Sequence, residues 1–462
     1  MTAQGPAGCP AGAAHPRAAP SASATPGRPA AAPSPPVGWR ARLAAQWAQP
    51  QHRNAWYLML NNVTAAATGL LFWLLLARVA GLPAGEVGIG YAIVALGTTI
   101  GVVAKGGLDT ALLRHVPGAH KQDARRLVLF GAAIGSLVAV AICLGLALLA
   151  HGGLGVPPLG PGGWLMVAAI SILLLVTWLQ DAYFLAEGQA QFSWRRNLVL
   201  SGARLLLPLP ILALAVPFPI PTTWAIALAA SAFAAAGFHR RIPHREGRRV
   251  PRREFLASAA RNVTGSAAEF LPGLLLAPIV LAIDGPAAAA YFGIAWTAAS
   301  LLFLTSAAIS RSALADMMRS GGSHHAAVRR GALQNMCTVA PAAIGGMLLA
   351  PQVLSIFGPA YGREGAAVFV VLCVSAFLVA PFYLYLAVLR AQERPAALVA
   401  FPLAMVAALL VLAPLLEARL GLPGVGIAWM AANAPFALYA LWKLARTEVT
   451  HAPPVGGHPH AE

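Results

Sequence analysis

Four kinds of residue in this chain could do chemistry, and all are charges or helix breakers set inside apolar runs. Glu269 lies about seven residues into a run that starts near 263, Arg204 lies at a similar depth in the run 197–216, and Asp181 lies near the end of the run 163–186. A charge in hydrocarbon costs several kcal/mol unless it is paired or hydrated, so each must face protein or water. A desolvated carboxyl at Glu269 could exchange a proton or hold an ion, which makes it the candidate coupling residue. The guanidinium of Arg204 suits a phosphate, and it could equally pair with Asp181 across the turn between the two runs. Close to Glu269 stand Pro272, Gly273 and Pro278, which remove backbone donors and mark a candidate hinge.

Three more arginines, Arg78, Arg114 and Arg311, sit at the ends of apolar runs. Snorkelling to the surface accounts for such positions, and so does a cationic rim around a cavity. Lys105 and Asp109, four apart, pair with each other if the segment is helical. Thr297, Ser300, Thr305, Ser306 and Ser310 fit close helix packing or a wet wall. No catalytic residue is expected. The four cysteines, Cys9, Cys143, Cys337 and Cys373, are scattered without metal-ligand spacing, and the histidines lack supporting acids, so neither a metal nor a cofactor is expected.

The elements that carry these residues follow from composition. Of 462 residues, 58% are hydrophobic and only 10% are charged, against about 25% in soluble domains. Runs of about 20 apolar residues recur, as in 127–150 and 366–389, and such continuous runs favour helices over a barrel. The fold class is therefore an all-α integral membrane protein of about twelve transmembrane helices. They are expected near 55–77, 87–104, 127–150, 163–186, 197–216, 222–238, 263–282, 287–310, 331–350, 366–389, 396–416 and 424–442.

Charge placement orients them. Of 32 Lys and Arg, 28 fall in the termini and in alternate loops, while only Arg78, Arg363 and Arg419 fall in the others. The positive-inside rule then puts both termini and the segment 239–262 in the cytoplasm of a cell whose inner membrane holds the chain, with 351–365 outside. The net charge of +17 belongs to this pattern, and to anionic lipid at the cytoplasmic face, rather than to nucleic acid.

The expected domains are an Ala/Pro-rich disordered tail (1–54) with an interfacial helix at 39–48, a six-helix bundle (55–238), a basic linker (239–262), a second six-helix bundle (263–445) and a tail (446–462). Asn62-Val63-Thr64 recurs as Asn262-Val263-Thr264, and Phe184-Leu185-Ala186 as Tyr385-Leu386-Ala387, 200 and 201 residues on. Each half starts inside and has an even number of spans, so the two are parallel repeats.

The stretch Phe72-Trp73-Leu74-Leu75-Leu76-Ala77-Arg78, then Glu86-Val87-Gly88, then Gly107-Leu108-Asp109-Thr110-Ala111-Leu112-Leu113-Arg114 and Pro117 resembles the polysaccharide-exporter (Wzx-type) branch of the multidrug/oligosaccharidyl-lipid/polysaccharide (MOP) flippase superfamily. Leu389-Arg390-Ala391-Gln392-Glu393-Arg394 resembles that family's turn after the tenth span. The resemblance implies two parallel bundles around a central cavity and movement of a lipid-linked glycan, its carrier a polyprenyl pyrophosphate, by alternating access. Arg204, with Arg78, Arg114 and Arg311, would then bind the headgroup. A cation-coupled drug or metabolite exporter of the same fold is the second expectation, and a membrane enzyme of polysaccharide assembly the third. The third is disfavoured because no outward loop exceeds about 15 residues. A major-facilitator transporter is disfavoured because the 108–112 loop lacks a D-R-x-G-R-like motif.

Overall fold

The computed structural model describes residues 50–445 except 153–158, 243–246, 268–270, 320–323 and 393. The expected interfacial helix at 39–48, most of both tails and Glu269 lie outside the described residues. Within them the chain is helical throughout. The apolar runs become α1 (Pro50–Leu74, continued by a π-turn, Leu75–Val79), α2 (Ala84–Lys105), α4 (Lys121–His151), α5 (Gly160–Ala186), α8 (Pro219–His239), α12 (Gly285–Arg319), α16 (Ala366–Ala391), α17 (Pro395–Leu420) and α18 (Leu422–Ala445). Short α3 (Leu108–His115) follows α2, and Gly106 and Gly107 make the bend between them in the left-handed region that other residues avoid.

Nine of the described helices are long and apolar enough to cross a membrane. Among the described residues no such helix covers the expected fifth, seventh or ninth span. The fifth is broken into α6 (Ala190–Leu206) and α7 (Pro208–Ala213), because neither Pro208 nor Pro210 has a hydrogen to donate back along the helix. The seventh is described as α9 (Arg252–Ala267) and, beyond residues 268–270, as α10 (Leu271–Leu274) and α11 (Leu276–Ile283), which part at Leu275. The ninth, α13 (His324–Leu348), is helical but less apolar. Two short helices, α14 (Ala350–Ser355) and α15 (Pro359–Glu364), fill the 351–365 loop.

The two sequence halves interleave. α2 packs along α12, which packs on α16, which packs on α18. A continuous core joins Phe72, Leu76 and Val87 from the first half to Leu276, Phe292 and Leu372 from the second. The contact is tightest at Gly88, where an added Cβ would lie 1.7 Å from the carbonyl oxygen of Pro286. Tyr91 presses on Gly293 and reaches Thr297 Oγ1 at 3.4 Å. Of the eighth-span hydroxyls, Thr297, Ser300, Thr305 and Ser310 also bond back to carbonyls of their own helix.

The basic linker is folded onto the first half. Ile242, Val250 and Phe255 are buried among Leu108, Leu112, Leu127 and Leu179. The His120 N–H donates to the Arg248 carbonyl at 3.3 Å, Lys121 Nζ donates to the Ile242 carbonyl, and Arg252 lies 4.9 Å over the Phe130 ring. Glu254 accepts from Arg248 at 2.8 Å and faces His115 Nδ1 at 3.8 Å.

Candidate functional site

The site grows from one face of α6. Ser193, Asn197, Ser201 and Arg204 recur at spacings of four, four and three, which stacks them along a single stripe. All four are buried. The stripe meets α1 and α5. Asn197 Nδ2 donates to the Asn61 carbonyl at 3.1 Å, and Ser201 Oγ lies 2.9 Å from Thr68 Oγ1.

Arg204 lies about 20 Å from the start of α6, counting 1.5 Å per residue. Its Nη2 donates to Thr68 Oγ1 at 3.2 Å, its guanidinium sits 4.7 Å over the ring of Trp224 on α8, and its Nε has no hydrogen-bond partner. It is only 5% exposed, and among the described residues no carboxylate pairs with it. A buried guanidinium held by a hydroxyl and an aromatic face keeps its charge and donors for an anion.

Asp181 does not pair with Arg204. It accepts a bidentate bond from Arg196, at 3.0 Å from Nε and 2.8 Å from Nη2. The turn between α5 and α6 is only residues 187–189, so Asp181 and Arg196 stand at matching depths on either side of it, and Arg204 lies two turns farther in. The sequence reading placed Arg196 in the loop because Arg195 and Arg196 delay the apolar window. The helix starts earlier, at Ala190.

The four arginines are not brought together. Arg78 lies in the π-turn, exposed, at the end of α2 remote from Arg114, and 22 residues of α2 separate those ends by about 33 Å. Arg114 on α3 and Arg311 on α12 are exposed at the arginine-rich end, and Arg204 lies between. Lys105 and Asp109 pair as their spacing predicts, at 2.7 Å.

α10 and α11 part at Leu275, within the stretch that holds Pro272, Gly273 and Pro278. Pro278 cannot donate to the Leu274 carbonyl, and Thr99 Oγ1 of α2 reaches that carbonyl at 3.3 Å. Gly273 is required by a close approach: an added Cβ would meet the Trp296 ring at 2.4 Å. The π-turn of α1 begins at Leu75, 200 residues before Leu275, so both halves distort their opening span at the same place.

Residues the sequence reading missed are Arg196, Trp224, Thr68 and Thr99. A stripe count along 193–204 could have found the seam. The others are joined to it only by the fold. Two recesses open elsewhere: an apolar groove of ≈ 1070 Å³ between α4 and α5, bordered by Leu144, His151 and Trp164, and one of ≈ 450 Å³ bordered by Glu86, Leu212 and Phe218. Neither includes an arginine named above. Among the described residues no cluster of metal-ligating side chains occurs.

The chain is a helical, multi-pass membrane protein, and its fold is similar to that of solved membrane transporters. No family model and no curated protein matches the chain. Among solved structures, it is similar to the lipid II flippase MurJ in an inward closed conformation (TM-score 0.66, 11% identity, covering 85% of this chain and 87% of that one). It is similar also to a multidrug resistance MATE family transporter of the MOP superfamily in its inward-facing conformation (TM-score 0.62, 16% identity, 83% and 96% covered). An outward-facing MATE family transporter matches at TM-score 0.53 and 15% identity, with 87% and 98% covered.

Proposed function

We propose that the chain is a flippase of the cytoplasmic membrane that moves a lipid-linked oligosaccharide or polysaccharide precursor, on a polyprenyl pyrophosphate, by alternating access of its two halves. The observation that supports this most is Arg204, buried, with no carboxylate partner among the described residues and an unbonded Nε. A pyrophosphate headgroup needs such a cation while its tail stays in the bilayer. In this reading the arginine-rich end is cytoplasmic. Arg114 and Arg311 attract the headgroup at its mouth, Arg204 holds it at depth, and Arg78 lies at the exit. Glu269 would supply coupling, and Leu275 with Pro272, Gly273 and Pro278 the bend. Anionic lipids would meet Arg240, Arg241, Arg249 and Arg253 beside the folded linker.

A cation-coupled drug or metabolite exporter is the second reading. Its support is the aromatic cluster of Phe292, Trp296, Phe303 and Trp429, with Trp296 and Trp429 rings edge-on at 5.0 Å, a surface suited to apolar cations.

The test is complementation. In a strain lacking this gene, Arg204→Ala expressed at the normal level is expected to leave surface glycan unrestored. Full restoration would refute the headgroup role, and unchanged glycan in the deletion strain itself would refute the flippase reading in favour of the exporter.

A further inference from the structure

The smaller of the two recesses carries a charge that the transport reading leaves unused. Its volume is ≈ 450 Å³, within the range of about 300–1,000 Å³ common for ligand sites, and Glu86 is the one charged residue on its border. Glu86, Ile89 and Gly90 fall at i, i+3 and i+4 on α2 and so share a face of its first turns. That face meets α8 closely: a Cβ on Gly90 would lie 2.7 Å from the Ile220 Cβ. The facing wall is the 212–221 segment, stiffened by Pro217, Pro219 and Pro221. Within it Ala215 and Phe218 are held at φ +50° and +52°, the left-handed region that residues with a side chain avoid, and such strain persists where the surroundings fix the backbone. Thr222 supplies part of that fixing, its N–H donating to the Phe218 carbonyl at 3.0 Å and its hydroxyl to the Pro217 carbonyl at 3.2 Å. The Phe218 ring lies against Gly162 of α5, where an added Cβ would be 3.0 Å away. The recess is therefore a built shape.

Charge at this arginine-poor end of the first half is scarce. Arg78 and Glu86 are the only Lys, Arg, Asp or Glu in 54–104, and 127–180 and 205–238 contain none. Arg78 lies in the π-turn and Glu86 in the first turn of α2, with only the short link 80–83 between these elements, so both stand at the same end. Both are exposed, and among the described residues neither has a salt bridge. Leu209 and Leu214 beside the recess are exposed too, Leu214 to 74%, and on a membrane-spanning chain lipid tails cover such side chains. An apolar trough, an acceptor-only carboxylate at its rim and a guanidinium at the same level match a zwitterionic lipid headed by a primary ammonium. Its tail fills the trough, its N–H donors meet Glu86 and its phosphate meets Arg78. A quaternary ammonium has the same charge but no hydrogen to donate. We propose that this recess binds a membrane lipid with a primary-ammonium headgroup, in the leaflet at the arginine-poor end. The site goes beyond the flippase reading and stands on the recess and its two charges alone.

Native mass spectrometry of the purified full chain tests the proposal. The chain is released from nanodiscs holding equal amounts of phosphatidylethanolamine, phosphatidylcholine and phosphatidylglycerol of distinguishable mass, and the lipids that stay bound are counted. Phosphatidylethanolamine is expected to be retained several-fold over phosphatidylcholine, whose headgroup differs only by methyl groups on the nitrogen. Glu86→Gln is expected to bring it down to the phosphatidylcholine level, and Arg78→Gln to lower both, because both carry the phosphate. Val216→Trp, which keeps the two charges but fills the recess, is expected to lower both as well. Glu86→Gln alters only an exposed side chain, so it decides the matter even if Val216→Trp folds poorly. Equal retention of the two zwitterionic lipids by the unaltered chain would overturn the site, and so would a preference that survives Glu86→Gln. Preferential retention of phosphatidylglycerol would overturn the assigned charge. Saturable, Glu86-dependent binding of tetraphenylphosphonium with no preference among the lipids would overturn the lipid in favour of a soluble organic cation. None of these outcomes depends on whether Arg204→Ala restores glycan.

Discussion

The two halves put opposite chemistry at matching places. In the first, Asp181, Arg196 and Arg204 are buried or half-buried on α5 and α6. Residues 201 positions on are Phe382, Ala397 and Met405, and the seam there is aromatic: Phe382 and Phe401 each pack on Phe436. The second half also holds every helix-interior proline among the described residues, namely Pro341, Pro381, Pro402, Pro414 and Pro435. Buried charge thus lines α5 and α6, whereas the helix-interior prolines fall in α13, α16, α17 and α18.

Breaking the charged seam should have the largest effect. Arg196→Ala leaves Asp181 without its partner, and removal of one member of a buried pair costs about 3–5 kcal/mol. The expected result is a sharply lower melting temperature in detergent, with most of the loss recovered by Arg196→Met combined with Asp181→Leu. If the single variant melts normally, the seam is not structural.

The mirror experiment sharpens the comparison. Met405→Arg puts a guanidinium at the place that matches Arg204, but Met405 is 3% exposed with no polar stripe around it. Burying that unpaired charge is expected to cost several kcal/mol and to reduce folded yield. Tolerance of the change would show that the second half has a wet surface there after all. Arg204→Lys tests the other side: it keeps the charge but loses the fork and much of the stacking on Trp224, so activity should fall about tenfold with little change in melting.

A smaller effect is expected at the bend. Gly273→Ala forces a methyl against Trp296, an overpacking worth about 1–3 kcal/mol, and Trp296→Leu in the same chain should relieve it. Melting of the single and double variants checks this. Insensitivity of Gly273→Ala would mean that Trp296 swings freely and that the bend is loose.

The smallest effect is a pH dependence at the linker. Burial lowers the pKa of His115 below 6.5, and the bond from Arg248 lowers that of Glu254 below 4.5. In both cases the unfolded chain binds protons more readily, so docking is fully present above about pH 6.5 and weakens as pH falls through 6.5 towards and below 4.5. Limited proteolysis at Arg248 and Arg249 should therefore accelerate on acidification, and less so in a His115→Asn variant. A flat profile would place the linker's stability in Ile242, Val250 and Phe255 alone.

How much of this was legible beforehand depends on the range of the interaction. The helical membrane class, the charge alternation, the Lys105–Asp109 pair, the break near Pro278 and the 200-residue echo all follow from residues within a few turns of one another, or from composition. The sequence by itself determined that the long apolar runs form helices, because hydrocarbon rejects unbonded backbone and charge whatever the neighbouring helices do. Which arginine answers Asp181, and that Trp224 and Thr68 frame Arg204, were decided by tertiary structure. Those partners stand from about 15 to about 135 residues apart. Their meeting depends on where each helix starts and how it is rotated, and a shift of one residue turns a side chain by about 100° around the axis.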